Sequence, residues 1–401
     1  MIVEKDWNFD EIIDRSGTAA MKWEPSILRL KFGPGRENLM PLWVADMDFY
    51  CPTVVKEAMA ERLDHQIYGY TLQDPEYNNA VIQWYGRRHN WEIKEPWLMS
   101  TPGIVPAVNF LVQRFTCPGD GVLIQTPVYY PFAEAIRNNG RTVVDSPLII
   151  ADGQYEMDFE DLAKKAADPG VKLAILCSPH NPVGRVWTRE ELIRFGDICM
   201  DNNVLVFADE IHCDLVMPGF SHTSFQSISE RFAQGSIAAN AASKTFNLAG
   251  LSQSSLVIPD PIKRGEMSLY FQTLGMNPRG SGSLFGAIAS RAAYMSAEPW
   301  LTDLIDYLHE NYLYLKQRVE LEIPGAKVFD LQATYLPWID FRSLKLAPEE
   351  VVRRVEEGAG LALDHGDWFG ENGRGFERIN IACPRALLKK AVDGLVRAFD
   401  S

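Results

Sequence analysis

The chain has 401 residues, too many for one ordinary core, so two domains are the natural expectation. Its 46% hydrophobic and 23% charged content is that of a globular protein, and a net charge of −14 argues against a general binder of nucleic acid or anionic membrane, though not against a small basic pocket. Six scattered cysteines without a CxxC pair, a charged Met1–Asp10 segment without an apolar stretch, and no apolar run of membrane-spanning length together predict a cytosolic protein with reduced thiols, mostly in the core.

The opening segment to about Phe49 reads as irregular, broken at Gly33-Pro34-Gly35. Leu42 to Phe49 is apolar with Asp46 and Asp48 inserted, which fits an extended segment packed on a core better than a place near a substrate. Pro52 to Asp64 is expected to be helical, with Val55, Met59 and Leu63 on one face. Tyr68-Gly69-Tyr70 follows in a loop. Asp74-Pro75 places an N-cap before a proline at the first helical position and opens a helix to about His89. Ser100 to Pro106 then leads into an apolar helix through Phe115. A glycine-containing turn there presents free backbone N–H groups at the positive end of a helix dipole, which suits a phosphate, although a plain helix cap has the same sequence.

From Gly121 short apolar runs alternate with helical stretches. The runs are Val122–Ile124, Lys172–Leu176, Val204–Ala208 and Gly235–Ala239. Such runs, apolar on both faces, argue for a mostly parallel sheet in an α/β domain. Thr188 with Glu191 forms a capping box between two of them. In open α/β sheets the ligand sits at the carboxyl ends of the strands, so the residues just past the runs matter most. These are Ser178-Pro179-His180-Asn181-Pro182-Val183-Gly184, then Asp209-Glu210-Ile211-His212, then Ser243-Lys244. Lys244 lies among small and apolar neighbours, where desolvation favours a neutral, nucleophilic amine; a surface loop lysine is the competing reading. An amide, a carboxylate and a lysine meeting at strand ends are what a pyridine aldehyde cofactor needs.

Beyond about Gly286 the alternation stops. A long helical region runs from Ile288 to Glu320 with a break at Pro299. A smaller α+β pattern follows, with Lys327–Phe329, Tyr335–Phe341, a helix from Pro348 to Glu357, and Arg378–Ala382. The expected division is an N-terminal segment 1–49 that joins a small domain, a large domain 50–287, and a C-terminal small domain 288–401.

With these residues in view, the chain resembles the fold-type I pyridoxal-phosphate enzymes of the aspartate-aminotransferase superfamily. More narrowly it resembles the MalY/PatB type of cystathionine β-lyase, or C–S lyase. The landmarks are Trp43–Phe49, Tyr68-Gly69-Tyr70, Thr101-Pro102-Gly103, Pro127–Phe132, Ser178–Gly184, Asp209–His212, Ser243–Asn247 and Arg378-Ile379-Asn380. The resemblance implies a large domain with a mostly parallel seven-stranded sheet and pyridoxal 5′-phosphate as cofactor. It implies that Lys244 carries the cofactor and later acts as base, with Asp209 on the pyridine nitrogen, Asn181 on the ring oxygen and Tyr129 stacked on the ring. Tyr129 as a core aromatic is the plainer alternative. Gly103, Ile104 and Ser243 would hold the phosphate, and Tyr70 would reach the neighbouring subunit's site in a homodimer. Arg378 would clamp the substrate carboxylate, with Arg385 as its rival, while His180 and Tyr335 are candidates for the pocket wall or for structural roles.

Two departures from the aminotransferase pattern stand out. His212 lies where many aminotransferases carry a tyrosine beside the cofactor, and Ser252 where they carry a phosphate-binding arginine. Both tilt the expectation towards β-elimination from a sulfur amino acid, giving thiol, pyruvate and ammonia. An aminotransferase is the close alternative, and a cofactor-binding regulatory protein the distant one. No HExxH or comparable spacing points to a metal.

Overall fold

The apolar runs in the middle of the chain build a seven-stranded sheet. Its strands are β1 (Leu98–Thr101), β2 (Gly121–Ile124), β3 (Thr142–Asp145), β4 (Val171–Cys177), β5 (Leu205–Asp209), β6 (Ser236–Asn240) and β7 (Ser254–Val257). The structure is a computed structural model that describes residues 6–72, 74–277 and 282–400; the first half of the charged Met1–Asp10 segment therefore lies outside the described residues. The order across the sheet is β1-β7-β6-β5-β4-β2-β3, and only β7 runs against the others.

Side-chain alternation fixes the register. Leu173, Ile175 and Cys177 of β4 enter the core on one face, and Ala174 and Leu176 the core on the other. Helices cover both faces. Ile104–Phe115, Pro131–Asn138 and Pro261–Thr273 pack on one, while Pro75–His89 and Arg189–Asp201 supply Trp84, Leu192 and Phe195 to the other. This is the fold-type I architecture that the resemblance implies, a mixed sheet of seven strands flanked by helices.

The strands without a clear apolar run are β1, β3 and β7. Two of them carry serine and threonine inside the sheet, where buried hydroxyls are paired: Thr101 Oγ1 with Ser254 Oγ across strands at 2.6 Å, and Ser255 Oγ with Tyr77 OH of the Pro75–His89 helix at 2.7 Å. The third, β3, is an edge strand with an exposed threonine and only partly buried residues. The irregular opening segment is corrected too: Pro25–Phe32 is a helix with proline at its first turn, and Met40–Pro41 pairs with Leu361–Ala362. Leu63 does not join Val55 in the core; it is exposed.

The caps read from sequence are present. Asp74 accepts from Glu76 N, and Thr188 and Glu191 form both halves of the capping box. The long helical region is two helices, Leu284–Ser296 and Glu298–Glu322, with Pro299 opening the second. A second, antiparallel sheet follows in the order β8 (Lys327–Val328), β9 (Trp338–Asp340), β11 (Phe376–Arg378), β10 (Asp364–His365). The largest apolar cluster is continuous from Phe9 to Phe399 and joins this sheet and its helices to one face of the larger sheet. No described helix is long and apolar enough to cross a membrane. Cys177, Cys199, Cys213 and Cys383 are buried, Cys51 is partly buried and Cys117 exposed.

The pairing of β10 with β11 sets His365 opposite Glu377, and His365 is buried between two carboxylates. Its Nδ1 lies 2.9 Å from Glu377 and its Nε2 3.0 Å from Glu356, which also accepts from Arg36. Burial opposes the imidazolium, yet the two carboxylates outweigh it and hold the pKa up to about 10, against an ordinary 6.5. A raised folded pKa gives stability that is full below pH 6.5 and is lost as pH rises towards 10. The unfolding free energy should therefore fall across that window by an amount on the order of a few kcal/mol, and His365→Gln should flatten the slope. Urea unfolding at several pH values measures both.

Candidate active site

The carboxyl ends of β4, β5 and β6 open on one cavity of about 200 Å³. Each strand end delivers one group, because the chain turns sharply just past it. After β4 the Ser178–Gly184 turn, with cis peptide bonds before Pro179 and Pro182, brings in Asn181. Asp209 is the last residue of β5. After β6 the short helical turn Ala242–Thr245 projects Lys244. Gly103 adopts φ +136°, a conformation open to glycine, and starts the Ile104–Phe115 helix at the far wall. Of the expected site residues, Gly103, Ile104, Tyr129, Asn181, Asp209, His212, Ser243 and Lys244 line this cavity. A larger cavity of about 720 Å³ beside Pro75 and Pro261 contains none of them.

The site's electrostatics follow from burial. Lys244 Nζ donates to Ala45 O at 2.7 Å. Burial, helped by Arg378 and opposed by Asp46 and Asp209, brings its pKa down to about 8, so roughly a tenth of the amine is neutral at pH 7, far more than for an ordinary lysine. Asp209 is buried, and among the described residues its Oδ1 accepts from Ile211 N, at 3.1 Å. Burial pushes it up to about 7, held back by that N–H and by Lys244. His212 is buried with Nδ1 unpartnered among the described residues. Burial, then the charges of Lys244 and Arg378, lower its pKa to about 3, so it is neutral. Tyr129 is pushed up to about 12 by burial and meets Phe132 edge-on at 5.6 Å.

Arg378 stands behind Asn181. Its Nη1 donates to Asn181 Oδ1 at 2.8 Å, and its Nη2 donates to Trp43 O at 3.0 Å and to Asp364 Oδ2. Arg385 instead stacks over Tyr314 at 5.1 Å; neither arginine lines the cavity itself, but Arg378 contacts its wall at Asn181. His180 is buried with Nε2 at 2.9 Å from Pro127 O and its ring against Trp187. Asp46 and Asp48 pair with Arg15 and Lys22, as a packed extended segment does. Tyr70 is fully exposed and outside the cavity of its own chain. Ser252, at φ +52°, lines the cavity where an arginine is common.

Sequence reasoning missed how the Leu42–Phe49 segment is held. Its carbonyls are read one after another by site residues. Asn380 Nδ2 donates to Val44 O and Asp46 O at 2.7 and 2.6 Å, and Asn247 Nδ2 to Met47 O and Phe49 O at 3.0 and 2.9 Å. Tyr335 OH donates to Ala45 O at 2.9 Å, the same carbonyl that accepts Lys244. The available signal was asparagine at the end of both the Ser243–Asn247 and Arg378–Asn380 landmarks. Behind the lysine, Asp214 is buried and accepts from Thr245 Oγ1 at 2.9 Å, Trp84 Nε1 at 3.0 Å and His89 at 2.7 Å. It ties the loop after Asp209 to the turn that carries Lys244. Among the described residues, His89, Cys213 and Asp214 are grouped closely enough to hold a metal, but Asp214's oxygens are already engaged and Arg88 lies 3.3 Å away.

Fold and site together define an α/β protein that gathers a lysine of lowered pKa, a buried carboxylate and an amide at the ends of parallel strands. The family described as aminotransferase class I and II matches residues 37–395. The chain is 42% identical to cystathionine beta-lyase PatB of Bacillus subtilis over 392 residues, covering 97% of this chain and 98% of that protein. It is 33% identical to protein MalY of Escherichia coli, covering 98% and 99%. The structure of cystalysin from Treponema denticola, which contains a pyridoxal 5′-phosphate cofactor, superposes with a TM-score of 0.93 at 37% identity, covering 98% and 99%. The chain belongs to the class I and II aminotransferase family and, within it, to the group that includes PatB and MalY.

Proposed function

We propose that this chain is a pyridoxal 5′-phosphate-dependent carbon–sulfur lyase that cleaves cystathionine, cysteine or related cysteine S-conjugates by β-elimination, releasing a thiol, pyruvate and ammonia. The observation that carries the reading is the convergence of Lys244, Asp209 and Asn181 on one cavity at three adjacent strand ends. The cavity fits the cofactor by chemistry. Lys244 offers an amine for covalent attachment, and the buried Asp209 carboxylate a partner for a protonated ring nitrogen. Asn181 offers an amide for the ring oxygen, and Tyr129 an aromatic face. Gly103 and Ile104, with the Ser243 hydroxyl, offer N–H and O–H donors to a phosphate at a helix N-terminus. His212, neutral and buried, borders the ring site. Ser252 adds no positive charge, so phosphate binding rests on neutral donors and on Tyr70 of a second copy in a homodimer.

When bound, the cofactor supplies an electron sink for the pair left at the substrate Cα. The chain's own residues do the rest. Arg378 and Asn181 hold the substrate α-carboxylate and so orient the Cα–H bond. Lys244, as the neutral amine, takes the Cα proton at Nζ. Asp209 keeps a proton on the ring nitrogen, which sustains the sink. The thiol leaves from Cβ because the pair at Cα expels it. A substrate with no leaving group at Cβ can only exchange its amino group or racemise. The first is the aminotransferase reading, which the family's name favours and which product analysis separates. The chain's net charge of −14 fits an enzyme with no general nucleic-acid or anionic-membrane partner, and its proposed place is the cytoplasm. Its proposed division is 1–49, 50–287 and 288–401, with the first and last parts together flanking the sheet-bearing middle.

The lowered pKa of Lys244 gives a direct check. Attachment of pyridoxal phosphate to cofactor-free protein needs the neutral amine. Its rate, read as the new absorbance band, should rise through about pH 8 and then level, whereas an ordinary lysine would still be rising above pH 10. A rate that climbs without a plateau up to pH 10 would remove the assignment of Lys244.

A further inference from the structure

Asp364 and Arg378 face each other across the β10–β11 pair, so the sheet register itself places a carboxylate on the arginine. Both residues are buried. Of the guanidinium's five N–H bonds, the two on Nη2 go to Trp43 O and Asp364 Oδ2, and one on Nη1 goes to Asn181 Oδ1. Arg378 Nε and Asp364 Oδ1 are both buried and without partners among the described residues. The Phe369 ring covers the guanidinium at 4.9 Å. Of the charges acting on Asp364, Arg378 comes first, ahead of Lys31 and His365. Lys31 is held over the Trp368 and Tyr130 rings at 3.8 and 4.9 Å, and His365 is bracketed by Glu356 and Glu377.

We infer that Asp364 is the built-in counter-ion of Arg378, a positioning residue that fixes one edge of the guanidinium and sets how tightly the site holds a substrate's α-carboxylate. The inference rests on the reading of Arg378 as the carboxylate clamp. An incoming carboxylate meets an arginine that is already neutralised, with the second N–H of Nη1, beside Asn181, left to receive it. The internal carboxylate therefore lowers affinity in exchange for one defined orientation. This has a sign that a merely structural role does not share. Removing the charge while keeping the side chain's shape should tighten carboxylate binding, because the ligand then becomes the arginine's only counter-ion. A residue that only props up the arginine would weaken binding when replaced.

The test is ligand binding to the holoenzyme, read from the change in cofactor absorbance, with L-alanine as a carboxylate-bearing ligand without a leaving group and ethylamine as its counterpart without the carboxylate. Asp364→Asn and Asp364→Ser should bind L-alanine roughly tenfold tighter or more, while ethylamine changes by less than about twofold. Asp364→Glu, which keeps the charge, should stay near the parent. If Asp364→Asn does not fold, the serine and glutamate variants carry the same comparison. Unchanged or weaker L-alanine binding in the folded neutral variants overturns the inference. Arg378→Gln, measured in parallel, isolates the premise. It should abolish the preference for L-alanine over ethylamine, and a preserved preference would overturn the clamp itself and the inference with it.

Discussion

Lys244→Ala should lower β-elimination by roughly 10⁴-fold or more, because one side chain serves as both attachment point and base. Every polar contact in the site converges on making that amine available. It is partly buried, it donates to the Ala45 carbonyl, and desolvation brings its pKa down to about 8. The alanine variant loses one hydrogen bond and a desolvated amine, so its thermal unfolding should remain close to that of the parent. The decisive readout is thiol release from L-cystathionine together with loss of the cofactor band after gel filtration. Retention of more than about a tenth of the turnover would mean that another group removes the proton, a loss of under one decade being too small for a catalytic base.

Asp209→Asn is the second large effect. The amide is isosteric and keeps an oxygen for Ile211 N, so the end of β5 should hold its shape. What it loses is the charge that keeps a proton on the ring nitrogen. Turnover should fall by about 10²–10³-fold, the scale of removing one preorganised electrostatic partner, while cofactor attachment to Lys244 persists. The cofactor-free variant should also be more stable than the parent above pH 7. Burial raises the Asp209 pKa from 3.8 to about 7, so the folded parent loses stability as pH rises between those values and carries the full penalty above pH 7, which asparagine removes. A cofactor-free variant less stable at pH 8 would show that the carboxylate is needed for the fold, not held there for chemistry.

The parts legible in sequence were those that follow from local pattern. Asp74-Pro75, the Thr188–Glu191 box and the four apolar runs each announce their structure within a few residues, and each is present. The strand ends then made Asn181, Asp209 and Lys244 visible as a group before any coordinates. Strands β1 and β7 were not legible, because their buried serines and threonines meet partners some 150 residues or more away, such as Thr101 with Ser254 and Ser255 with Tyr77. The grip of Asn247 and Asn380 on the Leu42–Phe49 carbonyls is hidden for the same reason. Its donors and acceptors lie hundreds of residues apart, and a backbone carbonyl has no letter in a sequence. Arg378 and Arg385 look alike in sequence; only β10 opposite β11 sets the first beside Asn181, while the second opens a helix over Tyr314.

The most direct test of the central claim is a product count on the purified holoenzyme given L-cystathionine and no keto acid. The site described here predicts sustained release of thiol and pyruvate in equal amounts over many turnovers. Slow, stoichiometric loss of the cofactor band with no pyruvate, reversed by adding a keto acid and yielding a new amino acid, would contradict it and make the chain an aminotransferase.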